Sequence, residues 1–325
     1  MITLPTTAAQ ARAADGTFRA GGTDLTDLRA RGIATGPVVD LRDLVGANSI
    51  VPTAEGGLRI GALVTLDQLA TDPLVLAGWR GVALAAGALA TPQIRARATV
   101  GGSLLQQVRC WYYRSPEFPC LKKGGATCFA RGGDAVFHSL VDLGPCIAPH
   151  PSTMAVALLA YDARAEIEGA DVRDIPTLLG DGTDPRSTHA LRPGQLLTSV
   201  VLPPPLDGEQ AGYFRAISRA RAEWPLVECV VRVRLGADGA IDFATLALGG
   251  IANRPIGYPD AGRALVGLKP DDPKVDDLLL GLAPKRAPLA QTAYKALLIP
   301  TTVRDTLDQA LAGPRGSATP TKEVP

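Results

Sequence analysis

The chain has 325 residues, 46% hydrophobic and 20% charged, the balance of an ordinary water-soluble globular protein long enough for two or three lobes. Its 33 Lys and Arg residues nearly cancel 32 Asp and Glu, and no basic stripe alternates with aromatic residues, which argues against a nucleic-acid partner. No run reaches the roughly 18 apolar residues of a membrane span, and the opening MITLPTTAAQARAADG has no charged region followed by an apolar one, so no membrane insertion and no export signal are expected. The expected compartment is the cytoplasm, or the periplasm by co-export with a signal-bearing partner.

Residues 1–15 read as a flexible lead-in. Residues 18–28, FRAGGTDLTDL, read as a short apolar strand, a Gly21-Gly22 turn, Thr23 and Asp24 at the N-cap position, and apolar residues at helical spacing. A glycine pair between strand and helix lets backbone N–H groups converge on an anion with no Cβ in the way. The same turn also joins strands to helices that bind nothing. The absence of G-x-G-x-x-G argues against a Rossmann site. Strands are expected at 37–41 and 58–60, a helix capped by Thr65 at 66–70, and an Ala-rich helix at 79–89 closed by the segment 91–95. Residues 98–103, ATVGGS, supply a second diglycine turn of the same type. Two such turns about eighty residues apart suit a dinucleotide whose pyrophosphate is clamped from both sides by backbone N–H groups.

Next come Cys110, Cys120, Cys128 and Cys146, spaced C-x9-C-x7-C-x17-C. The pattern lacks the C-x2-C knuckles of structural zinc sites, whereas the loops that wrap Fe–S clusters vary more in spacing. Gly124, Gly125, Gly132, Gly133, Gly144, Pro116, Pro119 and Pro145 make this segment a loop able to wrap. The favoured reading is a [4Fe-4S] cluster, with zinc, disulfides and unliganded thiols as the alternatives. Cys229, in LVECVVRV, reads as a packed thiol. His138 lies where it would accompany a cluster. His150, between Pro149 and Pro151, is a structural loop histidine, a ligand or a proton donor. His189 is expected to be solvated. Trp111, Tyr112 and Tyr113 shield the cluster, form a subunit contact or simply pack.

A helix at 155–160 and a strand at 163–168 follow. Residues 191–205, LRPGQLLTSVVLPPP, read as a turn, a strand and a proline run that continues neither sheet nor helix, hence a domain boundary. Beyond it, strands at 212–221, 226–235 and 241–248, with a hairpin turn at Asp238-Gly239, precede Gly249-Gly250. Helical spacing at 261–268, 275–282 and 289–311, the last interrupted at Pro300, completes a small antiparallel sheet with helices on one side. The tail from residue 313 is expected to be disordered.

The segments AGGTDL, ATVGGS, RPGQLLTSVVLP and the Gly249-Gly250 strand end together resemble the FAD-binding subunits of the molybdenum hydroxylases, the xanthine dehydrogenase and carbon monoxide dehydrogenase superfamily, over nearly the whole chain. With the RCWYYRSPEFPC insertion closed by CIAPHPSTMAVAL, the chain most resembles the FAD subunit of the bacterial periplasmic aldehyde oxidoreductase, a group whose FAD subunit carries an extra [4Fe-4S] cluster. The resemblance implies an α+β fold: a two-lobed flavin-binding domain of the vanillyl-alcohol-oxidase/PCMH type, not Rossmann, at 1–205 with the cluster loop at 104–150. A small antiparallel sheet-and-helix domain at 206–312 and a flexible tail at 313–325 would follow.

It further implies that Ala20, Gly21, Gly22, Thr23, Asp24 and Leu25 line the FAD pyrophosphate, with Thr99, Gly101, Gly102 and Ser103 on the other side. His150 and Thr153 belong to the flavin-facing HPS segment, Leu197 touches the ring region through its backbone, and Cys110, Cys120, Cys128 and Cys146 hold the cluster. Thr153 stands where the family has Asp, Ser103 where it has Asn and Ala216 where a Lys is frequent, so polar contacts to the flavin differ. No catalytic residue for substrate oxidation is expected here. The substrate is oxidised on a large molybdopterin-cofactor partner, [2Fe-2S] clusters of a small partner deliver electrons, and FAD passes them to an external acceptor. A self-contained flavin oxidoreductase, with only His150 as acid or base, and a non-catalytic metal-stabilised scaffold are the competing readings.

Overall fold

The computed structural model describes residues 1–220, 222–284 and 289–313; the expected tail, apart from Gly313, lies outside the described residues. Three sheets organise them. Strands β1 (Ile2–Thr3), β2 (Thr17–Arg19) and β3 (Val38–Asp40) form a parallel sheet in the order β1-β3-β2. Strands β4 (Ile50–Pro52), β5 (Leu58–Gly61), β6 (Arg164–Glu168), β7 (Arg173–Asp174) and β8 (Leu196–Leu202) pair antiparallel in the order β4-β5-β8-β6-β7. The third sheet holds β9 (Gln210–Ala216), β10 (Val227–Leu235), β11 (Ile241–Gly249) and β12 (Ile256–Gly257), antiparallel in the order β12-β11-β10-β9. None of the three closes on itself. The result is an α+β lobe followed by a small antiparallel sheet-and-helix lobe, not a Rossmann sheet.

Strand β10 joins the lobes. Successive strand side chains point to opposite faces. Cys229, Val231 and Val233 enter a core with Ile299, Val303 and Leu307 of the helix Tyr294–Leu311. Val230 enters the large core of the first lobe, together with Val82 of the helix Arg80–Ala88 and Met154 and Val156 of the helix Thr153–Ala160. Helix Thr153–Ala160, TMAVALLA, is therefore buried almost all round, as expected of a helix apolar on every side. It lies so close to β11 that a Cβ on Gly249 would stand 2.5 Å from Val156 Cγ2.

Several local expectations are corrected. Residues 1–15 are not a loose lead-in: β1 pairs with β3, and the helix Ala8–Ala13 is opened by a capping box in which Gln10 N donates to Thr7 Oγ1 at 3.2 Å and Thr7 N donates to Gln10 Oε1 at 3.3 Å. Ala11 packs under it with Val39 and Leu44. Thr91 begins a new short helix, Pro92–Arg95, rather than closing the old one. Pro300 does not interrupt its helix, because the buried stripe Ile299, Thr302, Val303, Thr306 and Leu307 runs through it. Packing against β9 and β10 offsets the roughly 3 kcal/mol an interior proline costs. Strand β9 stops at Ala216, short of the expected 221.

Candidate functional site

The first glycine pair follows β2. Gly22 adopts φ +75°, open to glycine but strained for other residues, and its carbonyl accepts from Thr26 N at 3.0 Å to start the helix Leu25–Ala30. A Cβ on Gly21 would fall on the backbone carbonyl of Arg97, so the turn rests directly on the chain leading into the second pair. That second pair differs from the expected turn: Gly101 and Gly102 lie inside the helix Val100–Leu104, where Thr99 Oγ1 caps Gly102 N at 3.1 Å. The two segments face each other, a Cβ position on Gly102 lying 3.8 Å from Ala20 Cβ.

Between them opens a cavity of about 610 Å³. Ala20, Gly21, Gly22, Thr23, Asp24, Leu25, Thr99, Gly101 and Gly102 line it, with Leu197 also on its wall. Ser103, His150 and Thr153 are not brought to that wall. Ser103 is buried with its hydroxyl 3.5 Å from that of Ser152. The Thr153 hydroxyl donates to Glu228 Oε2 at 2.6 Å, which also accepts from Tyr213 OH at 2.8 Å. His150 Nδ1 accepts from Ser152 N at 3.3 Å, and its ring borders a second cavity of about 620 Å³ with Arg109, Trp111 and Trp224. Burial, assisted by the Lys122 ammonium, pushes the His150 imidazole down to about 3, so it is neutral at physiological pH. His189, expected to be solvated, is instead half-buried on the glycine cavity's wall, where Nδ1 accepts from Leu191 N at 3.3 Å and burial lowers its pKa.

Asp24 occupies the N-cap position without capping its helix. Its carboxylate turns to the cysteine loop instead, accepting from Gln107 N at 2.8 Å, Arg109 Nη1 at 2.6 Å and Arg114 Nη2 at 2.6 Å. Arg114 is buried, donating also to Asp27 Oδ2 at 2.8 Å and to the Val108 carbonyl at 3.0 Å. Arg109 lies 4.4 Å over the Trp224 ring. These arginines were not singled out from the sequence; their one signal is their placement immediately before Cys110 and four residues after it.

Cys110, Cys120, Cys128 and Cys146 all border one small cavity, together with Lys122, Tyr112, Phe129 and His138. All five cysteines of the chain are free thiols, so the disulfide alternative is not realised, and Cys229 is a fully buried core thiol. Burial pushes the Cys110 thiol up to about 11 and raises that of Cys146. Among the described residues no three His, Cys, Asp or Glu side chains gather around a single-ion position. His138 Nε2 lies 3.2 Å from Cys110 Sγ. Tyr112 stacks on Phe129 and meets Phe118 edge-on, an aromatic shell inside the loop. Lys122 Nζ donates to the Pro185 and Ser187 carbonyls at 3.3 and 2.8 Å, and Asn253 Nδ2 to those of Gly182 and Cys146 at 3.1 and 3.3 Å.

Facing glycine segments around a cavity of this size, on a non-Rossmann α+β scaffold, define a protein built to hold a dinucleotide cofactor. The chain belongs to the FAD-binding subunits of the molybdenum hydroxylase family: residues 5–205 match the FAD binding domain in molybdopterin dehydrogenase, and residues 212–310 match the CO dehydrogenase flavoprotein C-terminal domain. It is a flavoprotein subunit of an oxidoreductase. It is similar to the aldehyde oxidoreductase FAD-binding subunit PaoB of Escherichia coli (strain K12), 35% identical over 303 residues that cover 91% of each chain. A putative xanthine dehydrogenase FAD-binding subunit, XdhB, of the same organism is 26% identical over 304 residues, 91% of this chain and 89% of that one. The fold is similar to that of the Cu,Mo-CO dehydrogenase, TM-score 0.72 at 22% identity, covering 96% of this chain and 97% of that one. It is also similar to quinoline 2-oxidoreductase from Pseudomonas putida 86, TM-score 0.69 at 21% identity, covering 96% of each. Among the described residues no helix is long and apolar enough to cross a membrane.

Proposed function

We propose that this chain is the FAD- and [4Fe-4S]-carrying electron-transfer subunit of a molybdenum-dependent aldehyde oxidoreductase or dehydrogenase complex. The observation that carries the reading is the convergence of four thiols on one cavity, in a loop bonded to the glycine cradle through Asp24. The residues present fit both groups. Ala20, Gly21, Gly22, Thr23 and Leu25 on one side, and Thr99, Gly101 and Gly102 on the other, leave backbone open to a diphosphate. Leu197 stands in the same wall, and Ser103 lies buried on the helix that carries Gly101 and Gly102. Four thiols with no carboxylate among them are the donor set of an Fe–S cluster, and because burial raises the thiols of Cys110 and Cys146, a bound cation is what would hold those two as thiolates.

When bound, FAD supplies two-electron acceptance and the cluster one-electron relay. The chain's own part is to hold and screen. His138 sets a ring nitrogen against the Cys110 sulfur, Lys122 brings a positive charge beside the thiols, and Tyr112, Phe118 and Phe129 keep water away. In this reading a small [2Fe-2S] partner delivers electrons, a large molybdopterin-cofactor partner oxidises the substrate, and an external acceptor receives the electrons. PaoB, an aldehyde oxidoreductase subunit by name, supports the choice of aldehyde.

The test is anaerobic reconstitution of the full-length chain with FAD, ferrous iron and sulfide. The expected product carries one flavin and about four irons, with flavin absorption bands over a broad cluster absorption. Flavin without iron overturns the cluster assignment. Loss of both overturns the reading. Co-expression with the two partners is expected to return a complex that reduces its flavin when given an aldehyde.

A further inference from the structure

We infer that Asp24 and Arg114 couple the two cofactor sites, so that filling the thiol cavity strengthens flavin binding at the glycine cradle and flavin binding strengthens retention of the cluster. The inference rests on the proposed function above and concerns how its two sites communicate.

Three observations carry it. Arg114 is tied to the backbone of a thiol-bearing residue: its backbone N donates to the Cys110 carbonyl at 2.9 Å, across the single-turn helix Trp111–Arg114. The same side chain forks across the flavin turn, with Nη2 on Asp24 and Nη1 on Asp27, while Nε fastens it to Val108 of its own loop. A planar guanidinium with both arms engaged and little room to move transmits displacement where a flexible ammonium would not. The helix that carries Asp24 and Asp27 also has its apolar side in the thiol loop: Leu28 is buried with Val108, Tyr113, Cys120 and Ala148. Drawing Cys110 and Cys120 onto a cluster therefore fixes the groups that hold the helix, and that helix fixes the Gly21-Gly22 turn. Ordering entropy spent by one ligand is not spent again by the other, and thermodynamic linkage makes the effect reciprocal.

Arg114 is thus a positioning residue, touching neither cofactor. The experiment measures FAD affinity of the full-length chain by flavin fluorescence, in its iron-loaded form and after chelation of the iron. The wild type is expected to bind FAD about tenfold or more tightly when loaded. Arg114→Met is expected to bring the ratio of affinities to about 1, and Arg114→Lys, which keeps the charge without the fork, to retain part of it. Arg131→Met serves as control: the Arg131 side chain bonds Asp142, Pro145 and Gly144 within the loop and makes no bond to the glycine cradle among the described residues, and its ratio should match the wild type. Should Arg114→Met fail to fold, Asp27→Asn removes one of the two acceptors, and its ratio should fall below the wild type's. Equal affinities in the two wild-type forms, or a ratio untouched in Arg114→Met or in Asp27→Asn, overturn the coupling while leaving the cluster reading intact. A wild type that takes up no iron overturns the cluster reading, and the coupling falls with it.

Discussion

The hydroxyl of Thr153 donates to the carboxyl group of Glu228 at 2.6 Å across the junction of the two lobes. Tyr213 completes the group. Glu228 is fully buried, and burial raises its pKa against the opposing pull of Thr153, Tyr213 and Arg215. A carboxyl group with a raised pKa favours folding most when protonated. That contribution is present below the unfolded value near 4.5 and is lost as pH rises towards the folded value. Glu228→Gln, which keeps an acceptor but cannot ionise, is expected to flatten the decline in Tm between pH 5 and pH 8. Scanning calorimetry at the two pH values checks it, and an unchanged slope would assign the decline to other groups.

Thr153→Val removes one donor from Glu228 at nearly constant volume. A buried polar group left short of a partner costs about 1–3 kcal/mol. Urea denaturation at pH 7 should show that loss with no change in slope, and FAD content should hold, because the hydroxyl does not reach the glycine cavity.

Gly21→Ala places a methyl group on the Arg97 carbonyl and must push the two glycine segments apart. FAD affinity is expected to drop by tenfold or more, about 1.4 kcal/mol or above, whereas Gly32→Ala, in open space at φ +70°, should cost stability without that selective loss. Equal flavin affinity in Gly21→Ala and wild type would mean that the facing segments are not the binding cradle.

Cys128→Ser should remove iron from the reconstituted chain. Because Cys128 belongs to the part of the loop that does not touch Asp24, FAD should still bind, with affinity near that of the iron-free wild type. Iron analysis and flavin fluorescence on one sample settle both halves.

Thr7→Ala breaks the capping box of helix Ala8–Ala13 and should cost about 1 kcal/mol, read as a shift in the denaturation midpoint. An unstructured opening segment would show no shift.

Much of this arrangement was readable along the chain, and the parts that were not share a cause. Alternating residues in β10 and β11 and the first glycine pair are local signals, and they fall where periodicity and turn chemistry place them, whereas the second pair lies inside a helix capped by Thr99. The box at Thr7 and Gln10 is equally local, a T-x-x-Q, but no long apolar run follows it to mark a helix. Pro300 misled because intrinsic propensity speaks only for an isolated helix. The Asp24 carboxylate was invisible in another way: an Asp before a helix reads as a cap, and only the approach of Arg109 and Arg114, 85 and 90 residues away, diverts it. His189 was misjudged likewise, since polar neighbours in sequence say nothing of the wall it faces.

Strand β10 gives one side to the helix Tyr294–Leu311 and the other to the helices of the first lobe. Cutting the chain at the proline run would leave each fragment with a wide oily surface and no cover for it. The halves should therefore melt as one cooperative unit, and neither is a module that can be transplanted by itself.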